Sequence, residues 1–197
     1  MKTRQFQCFV LTLCLALLTA CSGVPLRSVP RLLQLQNELL QSNPAEFIVA
    51  IQVDARLVPP PGAVPLLAVK VEPRDAGAFQ AIDKKLALQM AVSAASTFGL
   101  PAPSAGRRWL VYSMPPATQA ELLLVQSTIR QAKAMPNSAG RGSLSVGIEQ
   151  HALAVTEPAL ANTDWETWLQ TRKSDGFFEL WTRTPAMLLA EAAKRKK

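Results

Sequence analysis

Histidine and tyrosine occur once each in the 197 residues, and cysteine is confined to Cys8, Cys14 and Cys21. Each scarcity excludes something. Beyond Cys21 there is no thiol, so that part of the chain can form neither a disulfide between its own residues nor a cysteine metal set. A lone His151 cannot supply a histidine pair for a metal. Charge is sparse as well, at 18% of residues. No basic face or nucleic-acid motif runs through the chain, which argues against a nucleic-acid partner. Glycine-rich chemistry is missing too. Around Ser145 a nucleophile elbow fails because position 143 is serine, and the stretch from Gly140 to Gly147 lacks the Walker spacing and its lysine. That stretch reads as a turn into a strand.

What the sequence does have is concentrated at its start. Lys2 and Arg4 precede an apolar run from Phe6 to Leu18 that only Gln7 and Thr12 interrupt. This is the layout of a secretory signal. The run is shorter than the roughly 20 apolar residues a membrane-spanning helix needs. Leu18-Thr19-Ala20-Cys21 closes it. The segment resembles a bacterial lipoprotein signal, whose lipobox is a leucine, two small residues and a cysteine. The resemblance covers residues 1–22 only. It implies diacylglyceryl transfer to the Cys21 thiol, cleavage before Cys21, and acylation of the new amino group. Two or three acyl chains make a stable anchor, each buried CH₂ adding about 0.8 kcal/mol. In that family an aspartate after the cysteine usually retains the protein at the inner membrane. Ser22 stands there, so in a Gram-negative cell the expected location is the outer membrane, facing the periplasm.

The organisation that follows is a signal over 1–20, a lipidated cysteine and short tether over 21–27, and one globular domain over 28–197. The tether reaches about 20–25 Å, at about 3.5 Å per residue. Losing Lys2 and Arg4 takes two from the formal charge of +7. Lys194-Arg195-Lys196-Lys197 carries most of the remainder, which suits the carboxyl end of a helix. Contact of this tail with anionic lipid or cell-wall polymer is a second reading.

Leu32, Leu33, Leu35, Leu39 and Leu40 predict a helix capped by Ser28 and stopped at Asn43-Pro44. Its leucine face suits either core packing or a partner next to the membrane. Alternation at Ile51, Val53 and Leu57 predicts a half-buried strand, and Leu67, Val69 and Val71 predict another. With Pro59-Pro60-Pro61-Gly62 between them, the two read as an antiparallel hairpin. From Asp75 to Phe98 the pattern is double: Phe79, Ile82, Leu86 and Met90 fit one helical face, while Leu86, Leu88, Met90 and Val92 alternate as a strand would. The reading taken is a helical start followed by a strand from about Lys85, with helix over 85–92 as the alternative. Trp109–Met114 reads as a strand. Thr118 and Glu121 form a capping box for a helix carrying Leu122, Val125 and Ile129 inward. Leu144–Glu149 reads as a strand. Thr163 to Glu166 is a second capping box, opening a short helix to Gly176. Phe177–Trp181 is a strand, and Thr184-Pro185 opens the last helix.

Candidate sites are few. His151 is the only candidate general base, although a loop-end histidine explains it more simply. Asp164 and Glu166 are a weak glycosidase pair, because capping already accounts for Glu166. Trp165, Trp168, Phe177, Phe178 and Trp181 gather in one stretch. They suit a glycan or partner surface, or a core where a helix meets the following strand, and the core is the heavier reading.

The expected fold is α+β, a mostly antiparallel sheet with three or four packed helices. The expected function is a membrane-anchored envelope lipoprotein, a non-catalytic binding or scaffolding component with no cofactor or metal. Its partners would be the membrane, through the anchor, and an envelope protein or cell-wall glycan. The alternative is a glycan- or peptidoglycan-binding lipoprotein using the C-terminal aromatics.

Overall fold

The computed structural model describes residues 25–73, 80–91, 97–134, 142–154 and 157–195. Its architecture is α+β, with three α-helices among these residues and eight strands in two antiparallel sheets. The strands are β1 (Ile48–Asp54), β2 (Leu66–Pro73), β3 (Ile82–Ala87), β4 (Gln89–Met90), β5 (Arg107–Ser113), β6 (Gly142–Glu149), β7 (Trp165–Gln170) and β8 (Phe178–Arg183). The helices are α1 (Val29–Gln41), α2 (Pro116–Ala134) and α3 (Pro185–Arg195). The larger sheet runs β4-β5-β1-β7-β8 and the smaller β3-β2-β6.

β1 is central to the larger sheet. It pairs with β5 on one side and β7 on the other, and residues 49–53 are all buried. The expected half-buried strand is therefore buried on both faces: even Gln52, which alternates with Ile51 and Val53, is 2% exposed. Directly opposed residues share a face. Val49, Tyr112 and Leu169 form one core-facing row, and Ile51, Leu110 and Thr167 form the next.

The expected hairpin of β1 with β2 does not form; β2 pairs with β3 and β6. Both sides of β1 are already taken, so the intervening prolines carry the chain away to the other sheet. Pro60 to Ala63 makes a turn closed by Ala63 N–H donating to the Pro60 carbonyl at 3.0 Å. Gly62 takes φ 74 there, as the third position of a type II turn requires. On β2 the predicted alternation holds, with Leu67, Val69 and Val71 buried.

The strand expected from Lys85 begins earlier, at Ile82, and runs through Leu88 into β4. One segment thus passes from the smaller sheet to the larger, a corner that joins the two layers. The helical start expected from Asp75 lies largely outside the described residues, and so do Val92 and residues 135–141.

α1 and α2 cover the core with Leu35, Leu39 and Leu40 from one and Leu122, Val125 and Ile129 from the other. Ser28 precedes α1 without a side-chain cap. The far end of α1 is closed from outside. Gln126 of α2, 2% exposed, donates to the carbonyls of Leu39 (2.7 Å) and Ser42 (3.0 Å), and Arg130 donates to that of Leu40 (3.1 Å). Carbonyls that no helix can satisfy internally are met in this way.

Both capping boxes are overturned. α2 starts at Pro116, and the Thr118 hydroxyl donates across to the Ala87 carbonyl at 2.9 Å. The segment from Trp165 is strand β7, not helix. Its Trp, Thr and Leu at alternate positions satisfy a two-residue period. Glu166, the supposed capping acid, accepts from Arg107 at 2.6 Å. A short 3₁₀ turn, Lys173–Asp175, replaces the end of the expected helix.

Candidate functional site

The smaller sheet has one core face and one outer face. Ala68, Lys85 and Gly147 form one outer row, and Lys70, Asp83 and Ser145 form the next. Small side chains at Ala68, Ser145 and Gly147 leave the floor low. Against it stand Trp181 and Arg183 from β8 and Leu188, Glu191, Ala192 and Arg195 from α3, with His151 also in the lining. Together they line an open cleft of about 750 Å³, a size that suits a ligand or an inserted partner segment.

Its charges are mixed and mutually held. The Glu149 side chain, 9% exposed, lies between Lys85 at 3.1 Å and Arg195 at 2.9 Å. Arg183 pairs with Glu191, and its guanidinium sits over the Trp181 ring, 5.6 Å from the centroid. Lys70 pairs with Glu72 at 2.6 Å; that hydrogen-bonded carboxylate, with the charge of Asp83 beyond it, raises the lysine pKa above its ordinary range. The cleft can therefore offer ammonium, guanidinium and carboxylate groups to one ligand, over an indole wall. Among the described residues no three His, Cys, Asp or Glu side chains converge to hold a metal ion.

The five C-terminal aromatics do not share one surface. Trp165 (1% exposed) and Phe178 (8%) belong to the core. Trp181 lies opposite Thr167 and lines the cleft, whereas Trp168, the next residue along β7, points to the other face of the sheet. There it meets Trp109 edge to face, with centroids 6.0 Å apart. Trp109 also ties down the preceding loop by donating to the Pro101 carbonyl at 2.9 Å. Phe177 lies in the short link before β8 and faces Gly99 of the same loop.

Comparison with protein-family models, with curated proteins and with solved structures returns no match.

Asp164 and Glu166 are drawn together by Arg107, which donates to the Glu166 carboxylate, the Asp164 carbonyl and the Gln52 carbonyl. That arrangement fastens β5 and β1 to the start of β7. Cys21 lies outside the described residues. Arg27, read as the last residue of the tether, is already docked: it donates to Glu179 of β8 at 2.6 Å. Of the cleft, sequence reasoning found only Trp181 and His151. The β2 half was nonetheless readable, since Ala68 and Lys70 alternate with the buried Leu67, Val69 and Val71. The contribution of α3 had no sequence signal, because it depends on where the last helix docks.

Proposed function

We propose that this chain is a lipid-anchored lipoprotein of the cell envelope whose domain binds another envelope component through the cleft and performs no chemistry on it. Cys21 holds it to the outer membrane, facing the periplasm. The anchor rests on the agreement of basic start, apolar run and lipobox. The binding role rests on one observation: the cleft's glutamates are already engaged by cations, Glu149 by Lys85 and Arg195 and Glu191 by Arg183. A general base is kept free to take a proton, whereas paired charges over a small-residue floor suit recognition.

A photo-crosslinking residue at Asp83, on the cleft floor, tests this in cells, with the same residue at Leu123 on α2 as control. The reading expects one envelope component captured from position 83 and not from 123. Equal capture from both positions, or none from either, removes the cleft as the binding surface. The half-buried Trp109–Trp168 pair and the 78% exposed Phe98 favour glycan stacking as a second reading. Its test is sedimentation with purified cell-wall sacculi, and binding abolished by Trp168→Ala would move the site to that face.

A further inference from the structure

Leu33 of α1 is among the most open large apolar side chains, at 76% exposure. It lies roughly 160° round the helix from core Leu35, at about 100° per residue. Val29, 40% exposed, and the exposed Pro30 precede it by four and three positions, so the three are neighbours on one stripe. The packing of α1 fixes where that stripe looks. Leu35 and Leu39 hold the opposite side to the core. Arg31, Glu38 and Gln41 bond the Asp175 carbonyl (3.0 Å), the Thr171 hydroxyl (3.0 Å) and Arg172, so the helix runs along the turn from β7 to β8. Among the described residues nothing covers the outward stripe.

We propose that the first two turns of α1 rest on the bilayer that holds the anchor. Val29, Pro30 and Leu33 dip among the outermost acyl carbons, and Arg27 stands beside them at the level of the headgroup phosphates. The proposal rests on lipidation of Cys21. Chain length and charge name the occupant. The stripe starts at Val29, four residues past Pro25, and the link from Cys21 to Pro25 reaches only ~14 Å. An anchored chain thus keeps this stripe close to lipid. Residues 22–37 include Arg27 and Arg31 and no carboxylate, which suits an anionic surface. Arg27, though bonded to Glu179, keeps its side chain 73% exposed. Three apolar side chains are too small a surface to hold a bilayer alone. Once the acyl chains are inserted the contact is intramolecular, and a weak surface is enough to set the domain's orientation.

Site-directed fluorescence in vesicles tests it, with Leu33→Cys as probe and Val58→Cys as control. Val58, 75% exposed, follows the Asp54 end of β1, about 20 Å from the Ile48 end that meets Gln170 of β7. Each lipidated chain then has one free thiol, because Cys8 and Cys14 leave with the signal and Cys21 is acylated. Both positions are exposed, so the fold is kept, which far-UV circular dichroism checks. The full chains carry an environment-sensitive fluorophore and are reconstituted into phosphatidylethanolamine–phosphatidylglycerol vesicles, with or without a headgroup-nitroxide lipid. A low protein-to-lipid ratio keeps copies apart. Position 33 should emit to the blue of position 58 and lose about half its fluorescence to the nitroxide lipid, against about a tenth at position 58. A chain that floats with the vesicles but shows equal quenching at both positions, or none at 33, overturns the proposal and leaves the anchor standing. A blue shift at 33 without quenching also overturns it, since protein then covers the stripe. A chain that does not float overturns the anchor and this proposal together.

Discussion

Tyr112 is the chain's single tyrosine, fully buried in the row between Val49 of β1 and the edge strand β4. Among the described residues its hydroxyl has no hydrogen-bond partner. Burial disfavours the phenolate and lifts its pKa from 10.0 to about 12, against a smaller opposing pull from the Arg108 charge. The folded chain should therefore show no tyrosinate absorbance until near pH 12, while the urea-unfolded chain titrates near 10. The sign for stability follows from linkage. The raised folded value gives a contribution fully present below pH 10 and lost as pH rises through about 12. Because the hydroxyl satisfies nothing, Tyr112→Phe should leave stability unchanged or raise it by about 1 kcal/mol in urea unfolding. A clear loss would show that the hydroxyl has a partner. At this scale the sequence was partly legible. Side-chain type identified the aromatics, and the two-residue period of β7 separates core Trp165 from Trp168 on the opposite face. That separation was hidden because a Thr-x-x-Glu coincidence made the segment look helical, and Arg107, distant in sequence, had claimed the glutamate.

Elements with a single strong period were the most legible. The alternation of β2 and the Leu122, Val125, Ile129 stripe of α2 both appear where their spacing puts them. Within that stripe Gln126 is the discordant residue, a polar side chain on a buried face, and such a residue needs a partner. It finds two, the Leu39 and Ser42 carbonyls at the end of α1. No local pattern could reveal this, because the groups being satisfied lie on another helix. Gln126→Ala should cost about 2 kcal/mol, since it leaves buried carbonyls without their donor. Equilibrium urea unfolding measures it, and a cost below about 0.5 kcal/mol would mean that those carbonyls find other donors. Helix starts were less legible than helix faces. A capping box is a four-residue pattern, and at Thr118 the hydroxyl was worth more as a bridge to the Ala87 carbonyl of β3.

At the scale of the whole molecule, pairing was the illegible part. Strands adjacent in sequence usually pair, yet β1 and β2 part company because β1 is flanked by β5 and β7, both far along the chain. The cleft inherits that difficulty. It exists only where β8 and α3, the last elements, return beside strands from the middle of the chain. The proposed anchor has the opposite character, because its signal, a basic start, an apolar run and Leu18-Thr19-Ala20-Cys21, is entirely local in sequence. The two ends of this arrangement meet at Arg27. Its bond to Glu179, with Arg31 donating to the Asp175 carbonyl and covering the Phe178 ring, fixes the chain's entry beside β8. From Cys21 to Pro25 the link reaches only ~14 Å, so an anchored domain would hold its β7–β8 turn toward the bilayer. Cys21→Ser separates anchor from fold. Under the proposed anchor the substituted chain should leave the membrane fraction while its thermal unfolding midpoint stays within about 2 °C of wild type. Retention in membranes after an alkaline carbonate wash would refute a lipid anchor at Cys21. A lowered midpoint would instead mean that residues before Pro25 contribute to the folded core.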